Sequence, residues 1–293
     1  IFLAFFSSSF DVVFDAWRAE SLKKSILGLG AAWSIIGYRI AMMTSGALAL
    51  MLADFYIGFN GVYKLMAFLC IILAIFAFFS PEPTKSTPPS SLIVAIVQPF
   101  KEFFSRPSAI IILLTIVFYK FGDAFTASLS TAFLLRGANF SPAEVGAVSK
   151  GAGLAATLIG GLFGGLILSR YKLLNCLIFF GLLQAITNLG FWWLSTIQPD
   201  LTQMAIVIVA ENLSGGMGTA AFVALLMVLC DKRFTATQFA LLSALASIGR
   251  VFIGPVAGQV AFDYGWETFF LLSFFVFIPG ILMLFFLIKP LKI

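Results

Sequence analysis

Residues 107–134, PSAIIILLTIVFYKFGDAFTASLSTAFL, decide the fold. The run exceeds the about 20 apolar residues that cross a bilayer as a helix. It holds only two charges, Lys120 and Asp123. It is continuous, whereas a transmembrane β-barrel needs alternating segments of about ten residues. Comparable runs lie at 1–14, 29–53, 61–80, 144–168, 173–195, 201–229, 236–261 and 266–288. The chain therefore reads as an all-α polytopic membrane protein with nine spans. Composition agrees: 61% of the 293 residues are hydrophobic and 11% charged, against about 25% charged in soluble domains.

The net charge of +5 does not point to nucleic acid, because the basic residues lie mostly in short loops, where they set topology. Alternate loops carry Arg18, Lys23 and Lys24; then Lys85, Lys101 and Arg106; then Arg170 and Lys172; then Lys232 and Arg233. The tail carries Lys289 and Lys292, and the opposite loops hold Lys64 and Arg136. The positive-inside rule puts the rich side, and the C-terminus with it, in the cytoplasm. The 54–60 and 136–143 loops are then periplasmic. Cys70, Cys176 and Cys230 read as buried, reduced thiols. The chain has no His, so proton coupling would fall to carboxylates.

Residues 81–106 form the linker. PEPTKSTPPS (81–90) should be extended and mobile, and SSLIVAIVQPFKEFF (90–104) suits an interfacial amphipathic helix better than a span. Three spans precede the linker and six follow. GYRIAMMTSGALALMLADFYIGFNGVY (37–63) weakly repeats as GRVFIGPVAGQVAFDYGWETFF (249–270). In each copy Gly-Arg elements, small residues, an Asp and a Gly-aromatic pair follow in order, on spans running the same way. Parallel repeats on either side of a cytoplasmic linker imply halves of equal size. The expectation is a partial twelve-span bundle that lacks three upstream spans. Residues 1–80 would be spans 4–6, 81–106 the linker, and 107–293 a six-helix bundle.

Charges at membrane depth cost about 2.5–3.5 kcal/mol each and mark functional sites by default. Lys120 and Asp123 share a helical face, either as a substrate or proton site or as a structural ion pair. Small residues around them, Gly122 first, would leave space. Asp11 and Asp15 are spaced i, i+4, which suits proton binding; alternatively they are wetted and pair with Arg18. Glu211 reads either as a titrating carboxylate for substrate or proton binding or as a residue close to the outer interface; with Asn212 it precedes Gly215, Gly216 and Gly218, which read mainly as packing glycines. Gln184 and Asn188 could hydrogen-bond a sugar or peptide, or simply a neighbouring helix. Lys150 could meet an anionic substrate or snorkel outward. Arg39 and Arg250 match across the repeat, which favours a structural or gating role. Nucleophile elbows, metal-binding sets and a Walker loop are absent from the sequence, so the energy source reads as an ion gradient, without a cofactor.

At these residues the chain resembles the muropeptide permease family of the major facilitator superfamily. The likeness runs through VVFDAWRAE (12–20), GYRIAMMTSGALALMLAD (37–54), YKFGDAFTASLSTAFLLRG (119–137), FSPAEVGAVSKGAGL (140–154), ENLSGGMGTAAFVALLMVLCDKRFTATQFALLSALASIGR (211–250) and GPVAGQVAFDYGW (254–266). It implies a proton-driven inner-membrane importer working by alternating access. The implied substrates are N-acetylglucosaminyl-anhydro-N-acetylmuramyl peptides and the peptide-free anhydro-disaccharide, taken up for peptidoglycan recycling. The partners are then substrate and lipid bilayer, with no nucleic acid. Two alternatives stand beside it: a carrier of another anionic metabolite, such as an acyl-CoA, and a truncated chain that does not transport.

Overall fold

The structure is a computed structural model and describes residues 2–22, 26–82 and 91–291. Among the described residues all regular structure is helical. Helix α1 is Phe2–Ser21, and α2 begins as Leu27–Met43. Helix α2 continues through π-helical turns at Thr44–Leu48 and Ala53–Ile57, with Ala49–Leu52 between them. Then come α3 (Gly58–Phe78), α4 (Leu92–Phe104) and α5 (Ala109–Arg136). Helix α6 comprises Pro142–Ala147, a π turn at Val148–Gly153, and Leu154–Leu168. Helices α7 (Leu173–Thr196) and α8 (Leu201–Leu229) follow. The last helical stretch, Thr235–Leu291, is broken at Gly265 into α9 (235–264) and α10 (266–291).

Six described helical stretches are long and apolar enough to cross a membrane, and the last accommodates two of the expected spans. Seven of the nine expected spans fall within these stretches, overrunning them by two residues at most. Helices α1 and α2 do not qualify by themselves. Helix α1 runs on past residue 14 to Ser21 and so takes in Asp11, Asp15, Arg18 and Glu20. The α-helical part of α2 ends after 17 residues, at the first π turn.

Helix α8 is the central element, with 67% of its most apolar window buried against 6% for α3. It packs on α6, α7 and α2, while α5 packs along α9 and α10. Glycines set the α6–α8 spacing. A Cβ on Gly160 would collide with the Leu213 carbonyl, one on Gly216 with the Thr157 carbonyl, and one on Gly164 would stand 2.7 Å from Met217 Cα. Of Gly215, Gly216 and Gly218, close packing therefore holds for Gly216 against α6 and for Gly218 against Gln184 of α7, while Gly215 makes only an ordinary contact. Aromatic contacts close one end of the bundle: Phe125–Phe269 at 4.7 Å and Phe133–Phe270 at 4.8 Å between ring centroids.

The repeat reappears in the backbone. Gly58 (φ 63°, ψ 169°) and Gly265 (φ 80°, ψ 172°) are the two described glycines with positive φ. Each directly precedes the aromatic of its copy, Phe59 or Trp266. That region is essentially glycine-only. The expected 54–60 loop is thus helical through Ile57 and turns at one residue. A Cβ at either glycine would meet nothing within 4 Å, so substitution there tests backbone strain alone. Gly265→Ala should lower stability by about 1–3 kcal/mol. Thermal unfolding in detergent checks this, with Gly254→Ala, also in open space but within the α9 helix, as a control that should melt no lower than wild type.

The linker region divides. Of the stretch expected to be extended and mobile, residues 83–90 lie outside the described residues, as do Lys23, Lys24, Lys85 and Lys292 of the topology argument. Helix α4, at 13 residues, is too short to span. Ser91 caps it, accepting a hydrogen bond from the Val94 amide. Its far end is tied to the bundle. Arg106 forks onto Glu102 at 2.9 and 2.8 Å and donates to the Leu229 carbonyl at 2.6 Å. Gln238 of α9 donates to Glu102 and to the Pro99 carbonyl, and accepts from the Asp231 amide. Phe103 is fully buried beneath this network. Beside it, hydrogen bonding from Arg233 holds the Asp231 carboxyl below the usual carboxylate range.

Candidate functional site

The Lys120–Asp123 pair forms as its spacing predicts, with Lys120 Nζ 3.1 Å from Asp123 Oδ2. Lys120 also reaches Thr219 Oγ1 of α8 at 3.4 Å and lies over the Phe222 ring at 5.4 Å. Tyr119 stacks on the same ring and donates its hydroxyl to the Leu177 carbonyl. The ammonium is therefore occupied by a carboxylate, a hydroxyl and a ring face. The space expected at Gly122 is filled by the ring of Phe277, 2.6 Å from where a Cβ would sit. Ala127, one turn further, does face an open space.

That space is a cavity of about 260 Å³ between α2, α5, α6, α7 and α8. Its ionisable lining is Arg39 from α2, Lys150 from α6 and Glu211 from α8. Ser130, Thr131, Ser149, Thr157 and Asn212 add hydroxyls and an amide; Met42, Leu134, Leu154, Phe191 and Ile208 supply apolar wall. Lys150 rides on the π turn of α6, a distortion that often marks functional positions. Asn212 Nδ2 donates to Glu211 Oε2 at 2.9 Å and to the Ile208 carbonyl. Thr157 Oγ1 lies 2.9 Å from Asn212 Oδ1. Glu211 is thus held by a chain of neutral groups.

The ion pairs among the described residues are Arg18–Asp15, Arg106–Glu102, Lys120–Asp123 and Arg233–Asp231. Arg39, Lys150 and Glu211 belong to none of them. Two cations and one carboxylate share one cavity with no direct bridge within 4.0 Å. Such a lining can take an anionic group of a solute together with its polar, uncharged surroundings.

The other expected positions are placed differently. Asp11 is exposed, and Asp15 pairs with Arg18 at 2.7 Å. Arg18 is buried against Phe14 and Phe239. Asn188 donates to Thr126 Oγ1 at 2.8 Å, and Gln184 lies against Gly215 and Gly218 of α8. Both are buried at helix–helix contacts, outside the cavity lining. The repeat partners diverge: Arg39 lines the cavity and Arg250 is exposed. Sequence reasoning singled out Arg39, Lys150 and Glu211 one by one but did not join them. Their spacing along the chain carries no signal for that meeting. The Glu102–Arg106 clamp was also missed, although its i, i+4 spacing was readable.

Residues 1–237 match the Major Facilitator Superfamily. The chain is similar to the anhydromuropeptide permease of Escherichia coli (strain K12), at 50% identity over 285 residues. That alignment covers 97% of this chain and 58% of the relative, so the chain spans little more than half that protein's length. It is 32% identical over 302 residues to putative transporter AmpG 4 of Rickettsia felis, covering 100% of this chain and 72% of the relative. An uncharacterised protein of Haemophilus influenzae is 36% identical over 306 residues, with 100% of this chain and 71% of the relative covered.

Proposed function

The chain belongs to the muropeptide permease family within the major facilitator superfamily, and from that premise we propose that it serves proton-driven import of anhydro-muropeptides. It is a multi-pass protein of the inner membrane, of a transporter family rather than an enzyme family. The solutes are N-acetylglucosaminyl-anhydro-N-acetylmuramyl peptides and the peptide-free anhydro-disaccharide. They pass by alternating access, with the C-terminus in the cytoplasm. The energy source is the proton gradient, with no cofactor.

The observation that carries this reading is the cavity lined by Arg39, Lys150 and Glu211 with five hydroxyl or amide side chains. A muropeptide offers carboxylates to the cations and sugar hydroxyls and amides to the neutral polar groups. Intramembrane charges facing such a cavity mark solute paths, and solute sites in this architecture lie between repeats.

The test is uptake of radiolabelled anhydro-disaccharide tripeptide into proteoliposomes holding the chain, with an imposed inward proton gradient. Accumulation that collapses with a protonophore, and that unlabelled anhydro-disaccharide suppresses, is the expected result. Accumulation suppressed by an acyl-CoA but indifferent to the anhydro-disaccharide would move the reading to another anionic metabolite. No accumulation with either solute would favour a chain that does not transport by itself.

A further inference from the structure

Two carboxylates stand near the middle of this bundle, and their surroundings differ. Asp123 has a cation 3.1 Å away. Glu211 has an amide partner, Asn212, and shares its cavity with two cations that are also unpaired. The ionisable groups that line the cavity with Glu211 are Arg39 from α2 and Lys150, an exposed residue, from α6, while the Lys120–Asp123 pair of α5 lies outside that lining. Helix α8 has no other ionisable group, and α7 carries no charged residue and lines the cavity with Phe191.

We propose that Arg39 and Lys150 form the docking site for a carboxylate of the solute, and that Glu211 is the coupling group that competes with that carboxylate for the same two cations. The proposal rests on the anionic-solute reading above and assigns its proton to Glu211 rather than Asp123. The charge count carries it. With Glu211 ionised, an incoming carboxylate makes two anions before two cations in about 260 Å³. With Glu211 protonated, the solute carboxylate has both cations to itself. Like charges brought together inside a low-dielectric site oppose binding. Proton and solute therefore bind with positive cooperativity, and the coupling is reciprocal: whatever factor the proton adds to solute affinity, the solute adds to proton affinity. A group that stays bridged to a lysine, as Asp123 does, has no such dependence on the solute's charge.

The experiment is binding of the anhydro-disaccharide tripeptide to the chain in nanodiscs, by calorimetry at pH 5.5 and pH 8.5. Wild type should bind about tenfold more weakly at the higher pH, within the usual range of coupling factors. Glu211→Gln should bind at pH 8.5 as wild type does at pH 5.5, with the pH dependence gone. That is a gain of binding, which misfolding does not produce. Arg39→Gln and Lys150→Gln should each weaken binding at least fivefold at pH 5.5. In weakly buffered solution, wild type should take up protons on binding and Glu211→Gln should not. Binding by wild type with the same pH dependence in Glu211→Gln would overturn the assignment and leave the muropeptide reading intact. Unweakened binding by both cation variants would overturn the docking site. Failure of wild type to bind at either pH would overturn the muropeptide reading and this assignment with it.

Discussion

Gly160→Leu should leave no monodisperse folded protein after detergent extraction, and Gly160→Ala should already lower stability by about 1–3 kcal/mol, the usual cost of overpacking. The reason is contact between backbones. A Cβ at Gly160 would occupy the place of the Leu213 carbonyl, and a main chain cannot rotate aside as a flexible side chain does. Helices α6 and α8 would have to separate, and with them Lys150 and Glu211, which both line the cavity. Gly258 lies in a helix of the same bundle with nothing within 4 Å of its Cβ position. Gly258→Ala should therefore elute and melt as wild type. Fluorescence-detected gel filtration with a thermal ramp reads both outcomes. Wild-type melting of Gly160→Ala would show that the α6–α8 contact is looser than described.

Asp123→Asn should be the most damaging single change to a charged residue of α5. It leaves the Lys120 ammonium with neutral partners, an amide oxygen at position 123, Thr219 and the Phe222 ring, and no counter-charge. An unpaired charge at membrane depth costs about 2.5–3.5 kcal/mol; with Lys120 19% and Asp123 33% exposed, the lower end is expected. Lys120→Met added to Asp123→Asn removes the stranded charge and should restore both melting temperature and uptake. A double variant that melts as wild type yet fails to accumulate solute would give Asp123 a coupling role of its own. That result would count directly against the assignment to Glu211.

The helices were legible because their signals are local. Apolar runs set α5 to α10 within a few residues, and the Ser141–Glu144 and Asp200–Gln203 capping boxes fix the starts of α6 and α8. The Lys120–Asp123 pair was legible for the same reason, since three residues on a helix determine a face. The cavity was not. Arg39, Lys150 and Glu211 sit on three helices, and their meeting depends on how closely α2, α6 and α8 approach. Gly28 and Gly165 set part of that approach, with a Cβ on Gly165 only 2.8 Å from the Gly28 carbonyl oxygen. Glycine runs announce close packing without naming the partner. Asn188 shows the converse: its spacing with Gln184 on one face gave no sign that its amide meets Thr126 of α5. The π turn under Lys150 had no local signal beyond its glycines.

The one-residue turns at Gly58 and Gly265 also bear on mechanics. Each joins two long helices through a single φ and a single ψ at a residue without a Cβ, so two torsions set the angle of each joint. The three π turns, Thr44–Leu48, Ala53–Ile57 and Val148–Gly153, are where the helices' own hydrogen-bond ladders are already loosened. Two of these turns lie in α2 and one in α6, the two helices that carry Arg39 and Lys150.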